Sequence, residues 1–442
     1  MPRSAHAEWA PAPGRRDPVQ LIDGQNADRL PWLVPLRHQR MSVSPFTFYR
    51  GAASLMAQDL AGTPTTGSYV QLGGDAHLSN FGAYASPERQ LVFDANDFDE
   101  TLPGPWEWDL KRLAASFTIA AQHLGFDEKT TRVITAQSVS SYREAMARFA
   151  EMGVVELWRQ YVSTADVLAS GGWDAKELAK RLQTFQVRAQ RKTSLQARNR
   201  FAEFVDGRWR IRSEPPVLQP FSDLPSEFDV DVLMQGVHDS LESYRSTLQD
   251  DRQRLFSLHR LIDVGIKVVG VGSVGTRCFI ALFQGRDQND PLMLQIKEAG
   301  RSELSDHLGE SVYPNQGQRV VEGQRLTQAQ SDTFLGWTRG VAGRDFYVRQ
   351  LRDWKGSVEI EGSSSNQLGF YARLCGMTLA RGHARSGDAV AIAANLGMGE
   401  PLDKAVVDFA ERYAQQNLAD YQAFTDAIAA GRLECAEAPA QA

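Results

Sequence analysis

The chain is poor in cysteine and histidine. Its three thiols, Cys278, Cys375 and Cys435, lie far apart and form no C-x-x-C pair. That excludes a disulfide framework and argues against a zinc site built on cysteine. Its eight histidines are scattered. No apolar run reaches the roughly 18 residues that cross a bilayer. Residues 1–19 are rich in Ala, Pro and Arg and lack the apolar segment of a secretory signal. The expected location is therefore cytoplasmic, with no membrane partner. Basic excess is also missing, because the formal net charge is -6. A general attraction to nucleic acid is excluded on that ground. The basic stretch Arg188–Arg200 has no zinc, helix-turn-helix or aromatic-interleaved signature, so it reads as a solvated helix face. No internal repeat is found.

The 442 residues are ample for two or three lobes, and 42% hydrophobic with 23% charged is an ordinary globular balance. Pattern divides the chain. Residues 1–25 read as a flexible tail and 435–442 as a second one. Residues 26–259 are mainly helical, with one amphipathic helix over Pro45–Leu60 and another over 107–122. Phe204–Ile211 reads as a hairpin turning at Asp206-Gly207. Residues 260–360 are rich in Val, Ile and Gly and predict a small antiparallel sheet. Residues 361–434 return to helical periodicity. The expected fold is α+β and two-lobed, with the helical lobe drawn from both sides of the sheet.

Three constellations carry chemistry. Tyr69–Leu72 reads as a strand running into Gly73-Gly74-Asp75-Ala76-His77-Leu78-Ser79-Asn80. A loop with Asp75 and Asn80 five positions apart offers a carboxylate to deprotonate an acceptor hydroxyl and an amide oxygen to hold metal. A second predicted strand, Leu91–Phe93, leads into the acids Asp94, Asp97 and Asp99, candidates for the metal that bridges phosphates. The second constellation is the G-x-G-x-x-G of Gly270, Gly272 and Gly275, with Ser273 inside it. Dinucleotide turns open a helix, whereas here the β-prone run Arg277–Phe283 follows. A hairpin closing over phosphates is expected, its glycines admitting backbone amides to phosphate oxygens. The third is Lys297, at the end of an apolar strand, placed to neutralise α/β-phosphate charge. Glu322 is its expected acidic partner, ahead of Glu298 and Glu310.

At these residues a resemblance is visible. Asp75–Asn80 resembles the catalytic loop of protein kinases and aminoglycoside phosphotransferases, and Gly270–Gly275 with Lys297 resembles their nucleotide lobe. Asp109 resembles the buried helix aspartate that supports their catalytic loop. Asp97-Phe98-Asp99 resembles their metal-binding D-F-G context, which favours Asp97 over Asp94 and Asp99. The whole chain, over residues 35–430, also looks like the bacterial family called domain of unknown function 2252, through SPFTFYRGAA, GGDAHLSNFG, NDFDETLPGPWEWDLKRLAAS, GVGSVG and RGHARSGD. The kinase resemblance implies ATP and Mg²⁺ as cofactors and a phosphotransferase acting on a hydroxyl of a small molecule or a protein. The glycine loop follows the catalytic loop here, where kinases have it first, which a circular permutation reconciles. The helix Tyr371–His383 would then stand before the catalytic loop in space, a place the helix near Phe46–Leu60 could also fill. Two alternatives stay open: a nucleotide-binding pseudokinase acting by interaction, and a metal-dependent phosphoesterase built on Asp75-x-His77.

Overall fold

Nearly continuous apolar runs in the middle of the chain build one antiparallel sheet, and long apolar helices on either side of it in sequence build a separate helical core. The computed structural model describes residues 2–162, 193–225, 229–351, 356–357 and 360–437. The first part of the basic stretch, residues 188–192, lies outside the described residues, as does part of the helical reading of residues 130–205.

The strands in chain order are β1 (Tyr69–Leu72), β2 (Phe81–Ala85), β3 (Leu91–Ala95), β4 (Leu102–Pro105), β5 (Ala202–Val205), β6 (Arg208–Ile211), β7 (Leu218–Pro220), β8 (Arg260–Lys267), β9 (Cys278–Gln284), β10 (Pro291–Glu298), β11 (Gly336–Arg339), β12 (Asp345–Gln350) and β13 (Gly356–Ser357). The main sheet has six strands in the order β11-β12-β10-β9-β8-β7, every neighbour antiparallel. One face buries Val264, Ala281, Phe283, Leu294 and Val348 with Tyr244 and Leu241 of the helix Val230–Ser246. The expected sheet unit over 260–360 is thus extended: β7 joins it at the edge, and the helix Val230–Ser246 covers it. The β5–β6 hairpin turns at Asp206 and Gly207, both at positive φ.

The helical core centres on Trp106–His123, whose residues are buried from Trp106 to Ala121. Glu128–Ala150, Ser365–Ser386 and Pro401–Ala429 pack around it. The single helix expected over Pro45–Leu60 is two, Pro45–Gly51 and Ala53–Ala61, with a break at Ala52 (φ -118, ψ 40). At the break the Tyr49 carbonyl accepts from the Arg112 guanidinium as well as from the Ala52 amide. Small sheets hold the loops: β1 with β4, and β2 between β3 and β13.

Residues 2–25 are not the frayed tail that their composition suggests. His6 is buried, Trp9 packs on Phe409 and Tyr413, and Arg15 bridges the Asp59 and Asp420 carboxylates. At the other end, residues 434–437 are described without regular structure and 438–442 lie outside the described residues. No helix among the described residues is long and apolar enough to cross a membrane.

Candidate functional site

The loop after β1 is held from behind by its backbone. Asp109, in the first turn of Trp106–His123 and 2% exposed, accepts from the Gly73 amide (2.7 Å) and the Gly74 amide (3.1 Å). His383 lies 3.2 Å from the same carboxylate through Nε2, and its Nδ1 meets the Tyr142 hydroxyl at 2.9 Å. A buried carboxylate on two amides and a ring is well satisfied, so it acts as a rigid anchor. Gly74 is required here: its φ is +81, and a Cβ would stand 2.3 Å from the Glu100 carbonyl oxygen. Further along, Ser116 accepts from the Leu78 amide, and the Tyr371 hydroxyl donates to the Leu78 and Phe81 carbonyls.

This scaffold presents Asp75 and Asn80. The Asn80 amide nitrogen donates to the Asp75 carbonyl at 2.8 Å, and the Asn96 amide donates to the Asn80 carbonyl at 2.9 Å, tying the two acidic loops together. Arg112 donates through Nε to Asp75 Oδ1 at 2.6 Å, with Nη2 at 2.5 Å from the same oxygen. Burial works against the charge on Arg112, and Asp75 more than offsets it, so its pKa is raised. Among the described residues, Asp75 Oδ2 has only longer contacts, 3.4 Å to Asn80 and 3.5 Å to His77. Burial pushes His77 down to about 4, against the pull of Asp75, so the ring is neutral at neutral pH.

The three acids after β3 have different surroundings. Asp94 is buried and receives two bonds from Arg381, both 2.7 Å, plus the Ala95 and Ala329 amides at 2.9 Å. Asp97 Oδ1 lies 3.6 Å from Lys297 Nζ. Asp99 pairs with Lys297 and accepts from the Tyr347 hydroxyl at 2.7 Å and from Ser273 at 3.4 Å. Lys297 is 2% exposed, and the two carboxylates overcome the penalty of burial to raise its pKa well above the ordinary lysine value. The expected partner Glu322 is instead paired with Arg325 at 3.1 Å. The helix Gln316–Thr327 turns Val320, Val321 and Arg319 inward. Arg319 grips the loop backbone through the Asp99, Thr101 and Gly300 carbonyls.

The glycine loop joins β8 to β9, so it is the turn of an antiparallel hairpin and opens no helix. Gly275 needs its left-handed backbone (φ +89), which L side chains rarely adopt. Residues near the N-terminus clamp the loop: Arg40 donates to the Gly270 carbonyl, Arg29 to that of Val274, and the Leu30 amide to that of Gly275. The loop and the two acidic loops line one cleft, open to solvent. Gly270, Gly272 and Ser273 face Asp75, Asn80, Asp97 and Asp99 across it. Glu100 and Glu303 are in the same wall, and burial together with the Glu303 charge pushes Glu100 up to about 8.

Sequence reasoning did not single out Arg112, Arg319, Arg50 or the Arg29–Arg40 clamp. Their role depends on partners distant in the chain, and only the placement of Arg50 and Arg112 inside the YRGAA and WDLKRLAA segments hints at them. Among the described residues, no three or more His, Cys, Asp or Glu side chains are grouped to hold a metal.

No curated protein and no solved structure matches the chain. A family model spans residues 29–427, from the first residue of the clamp on the glycine loop to the last long helix. The chain belongs to that family, the uncharacterized proteins conserved in bacteria termed DUF2252.

Proposed function

We propose that the chain is a nucleoside-triphosphate- and Mg²⁺-dependent phosphotransferase acting on a hydroxyl acceptor, with a kinase-like two-lobed fold whose halves run in swapped order. One observation carries this reading. The glycine hairpin, the Asp75–Asn80 loop and the Lys297-paired acids Asp97 and Asp99 converge on a single cleft from widely separated segments. Secondary support comes from order within the sheet. Counting from the glycine hairpin, Lys297 is on the third strand, and a helix follows it, as in kinases. The swapped order is supported by the end of Ser365–Ser386, where the Ser386 hydroxyl accepts from the Gln71 amide of β1. A dinucleotide fold needs a glycine turn that opens a helix, which is not the arrangement here.

In this reading Arg112 fixes one oxygen of Asp75 and leaves Oδ2 to accept the proton of an acceptor hydroxyl. Lys297 exchanges part of its hold on Asp99 for the α/β-phosphates. The residues present fit Mg²⁺. Asn80 has its amide nitrogen committed to the Asp75 carbonyl, which leaves its oxygen as a ligand, and Asp97 supplies a carboxylate. Mg²⁺ is commonly bound by one or two carboxylates plus substrate phosphates, so a three-ligand protein group is not required. When bound, the ion would neutralise charge on the β- and γ-phosphates. Burial makes the His77 ring a poor proton acceptor, which leaves the base role to Asp75. Catalysis is then positioning and charge stabilisation.

The test is ATP consumption with Mg²⁺ against a metabolite panel and the protein itself, for the wild type and Asp75→Asn. The substitution should cost at least ~10²-fold in rate. A folded, fully active Asp75→Asn protein overturns the proposal. One observation favours the pseudokinase alternative, namely the Arg112 pair already formed on Asp75. Nucleotide binding without turnover across the panel would establish it. The phosphoesterase alternative calls for two metals held largely by protein ligands, and the described residues offer no such group.

A further inference from the structure

Arg50 is a cleft side chain that the proposed reaction has not yet used. It is the penultimate residue of the helix Pro45–Gly51 and lines the cleft with Asp75, His77, Asn80 and Asp97. Its carbonyl oxygen would stand 3.3 Å from a Cβ on Gly272, so this residue is where the glycine loop comes down on the helical core. Next to it, Tyr49 is tied to the Asp75 system: its carbonyl accepts from Arg112, and its ring lies 4.3 Å from that guanidinium.

The Arg50 guanidinium makes no hydrogen bond and no ion pair within 4 Å among the described residues, and its Nε is buried. The other two arginines of the cleft are engaged. Arg29 donates to the Gln25 and Val274 carbonyls, and Arg301 pairs with Asp306 and Glu310. The charges that act on Arg50 are Asp75, Glu361 and Asp97, and Arg50 in turn acts on His77. A guanidinium carries five donors in a planar fork that matches phosphate oxygens. One held inside a cleft without a partner is costly unless an anion completes it.

We infer that Arg50 is a catalytic residue whose guanidinium binds the non-bridging oxygens of the phosphoryl group in transfer, between the base Asp75 and the metal-side carboxylate Asp97. This rests on the phosphotransferase reading above. In the step itself the acceptor oxygen forms a bond to the γ-phosphorus, and the bond from phosphorus to the β–γ bridging oxygen breaks. The hydroxyl proton passes to Asp75, and the bonding pair leaves with the nucleoside diphosphate. Arg50 neither gives nor takes a proton. It stabilises charge that builds on the equatorial oxygens, the position an arginine finger serves in other phosphoryl transfers.

The experiment is calorimetric binding, in Mg²⁺, of ADP and of the non-hydrolysable β,γ-imido analogue of ATP to the wild type, Arg50→Ala and Arg50→Lys. A charged hydrogen bond to the γ-phosphate predicts that Arg50→Ala weakens the triphosphate analogue about 10- to 100-fold. Its ADP affinity should stay within about 2-fold. Arg50→Lys should recover part of the loss, since lysine keeps the charge without the fork. Equal losses for both ligands would mean a structural or α/β-phosphate role and overturn the inference, as would no loss for either. A folded wild type that binds neither ligand would instead overturn the phosphotransferase reading, and the role of Arg50 with it. Thermal melts of the variants establish that all three proteins are folded.

Discussion

Lys297 is paired with Asp99, a residue 198 positions earlier in the chain, and not with the helix packed behind its own sheet. The pair joins the six-stranded sheet to the loop after β3. Tyr347, on the neighbouring strand β12, adds its hydroxyl to the same carboxylate.

Lys297→Met should therefore do two things. It removes the Lys297 charge from Asp97 and Asp99, whose side chains are 30% and 27% exposed, so solvent screens part of the loss. A stability decrease of about 1–3 kcal/mol is expected, below the 3–5 kcal/mol typical of a fully buried broken pair. Nucleotide affinity should fall by more than about 10-fold. Urea unfolding and calorimetry separate the two effects. A variant with undiminished affinity would remove Lys297 from the phosphate site.

The three acids after β3 should separate under substitution to asparagine. Asp94 and Arg381 are 3% and 1% exposed, so Asp94→Asn strands a buried guanidinium and should cost about 3–5 kcal/mol of stability. Asp97→Asn should leave the melting temperature nearly unchanged and abolish the Mg²⁺ dependence of nucleotide binding. Asp99→Asn should weaken the hold on Lys297, with an intermediate effect on both. Thermal melts with and without Mg²⁺ and nucleotide read all three. Loss of Mg²⁺ dependence in Asp94→Asn at unchanged stability would contradict the assignment.

Local pattern made some of this legible in the sequence, and distance in the chain hid the rest. The glycine hairpin was readable because β-prone runs flank Gly270–Gly275, and the structure has β8 and β9 there. The loop from Asp75 to Asn80 was readable because Tyr69–Leu72 alternates and glycines follow it. The Asp94–Arg381, Asp75–Arg112 and Lys297–Asp99 pairs were not readable, because each is chosen by packing between segments far apart. Glu322 failed as the lysine partner for a related reason. Helical spacing puts Val320 and Val321 in the core and leaves Glu322 one turn from Arg325, its local partner. Composition misleads for the N-terminal residues because it measures hydrophobicity, while what holds them is a few specific contacts.

Lys111 predicts an alkaline rise in stability. It is 1% exposed, its Nζ has no hydrogen bond among the described residues, and it sits 4.8 Å from the centre of the Phe409 ring. Burial pushes its pKa down to about 7, with Glu107 opposing. The unfolded chain has an ordinary lysine near 10.4, so between about pH 7 and 10 it binds more protons than the folded one. Stability then rises with pH across that window. Lys111→Met should be more stable than the wild type at pH 7, on the order of a few kcal/mol, and should lose this part of the pH slope. Urea midpoints from pH 6.5 to 10 measure it, and an unchanged slope in Lys111→Met would refute the account.

Arg15 supplies the sharpest test of the N-terminal segment. Its guanidinium donates to both oxygens of Asp59, at 2.7 and 2.8 Å, and to both of Asp420, at 3.0 and 2.6 Å. The two carboxylates are 3% and 5% exposed. Burial raises the pKa of Asp59, and the hydrogen-bonded Arg15 guanidinium is the main charge holding it down. Arg15→Ala removes that restraint and leaves two buried acids facing each other, so the Asp59 pKa must rise further. A raised folded pKa means stability that is present at low pH and lost as pH climbs through the folded value. The variant should lose about 3–5 kcal/mol at pH 8 and clearly less at pH 5, where a proton can replace the guanidinium. Arg15→Met, which restores much of the packing volume, should show the same pH trend. Urea unfolding at the two pH values decides the matter: a loss of equal size at both would mean that Arg15 acts by packing and not by charge.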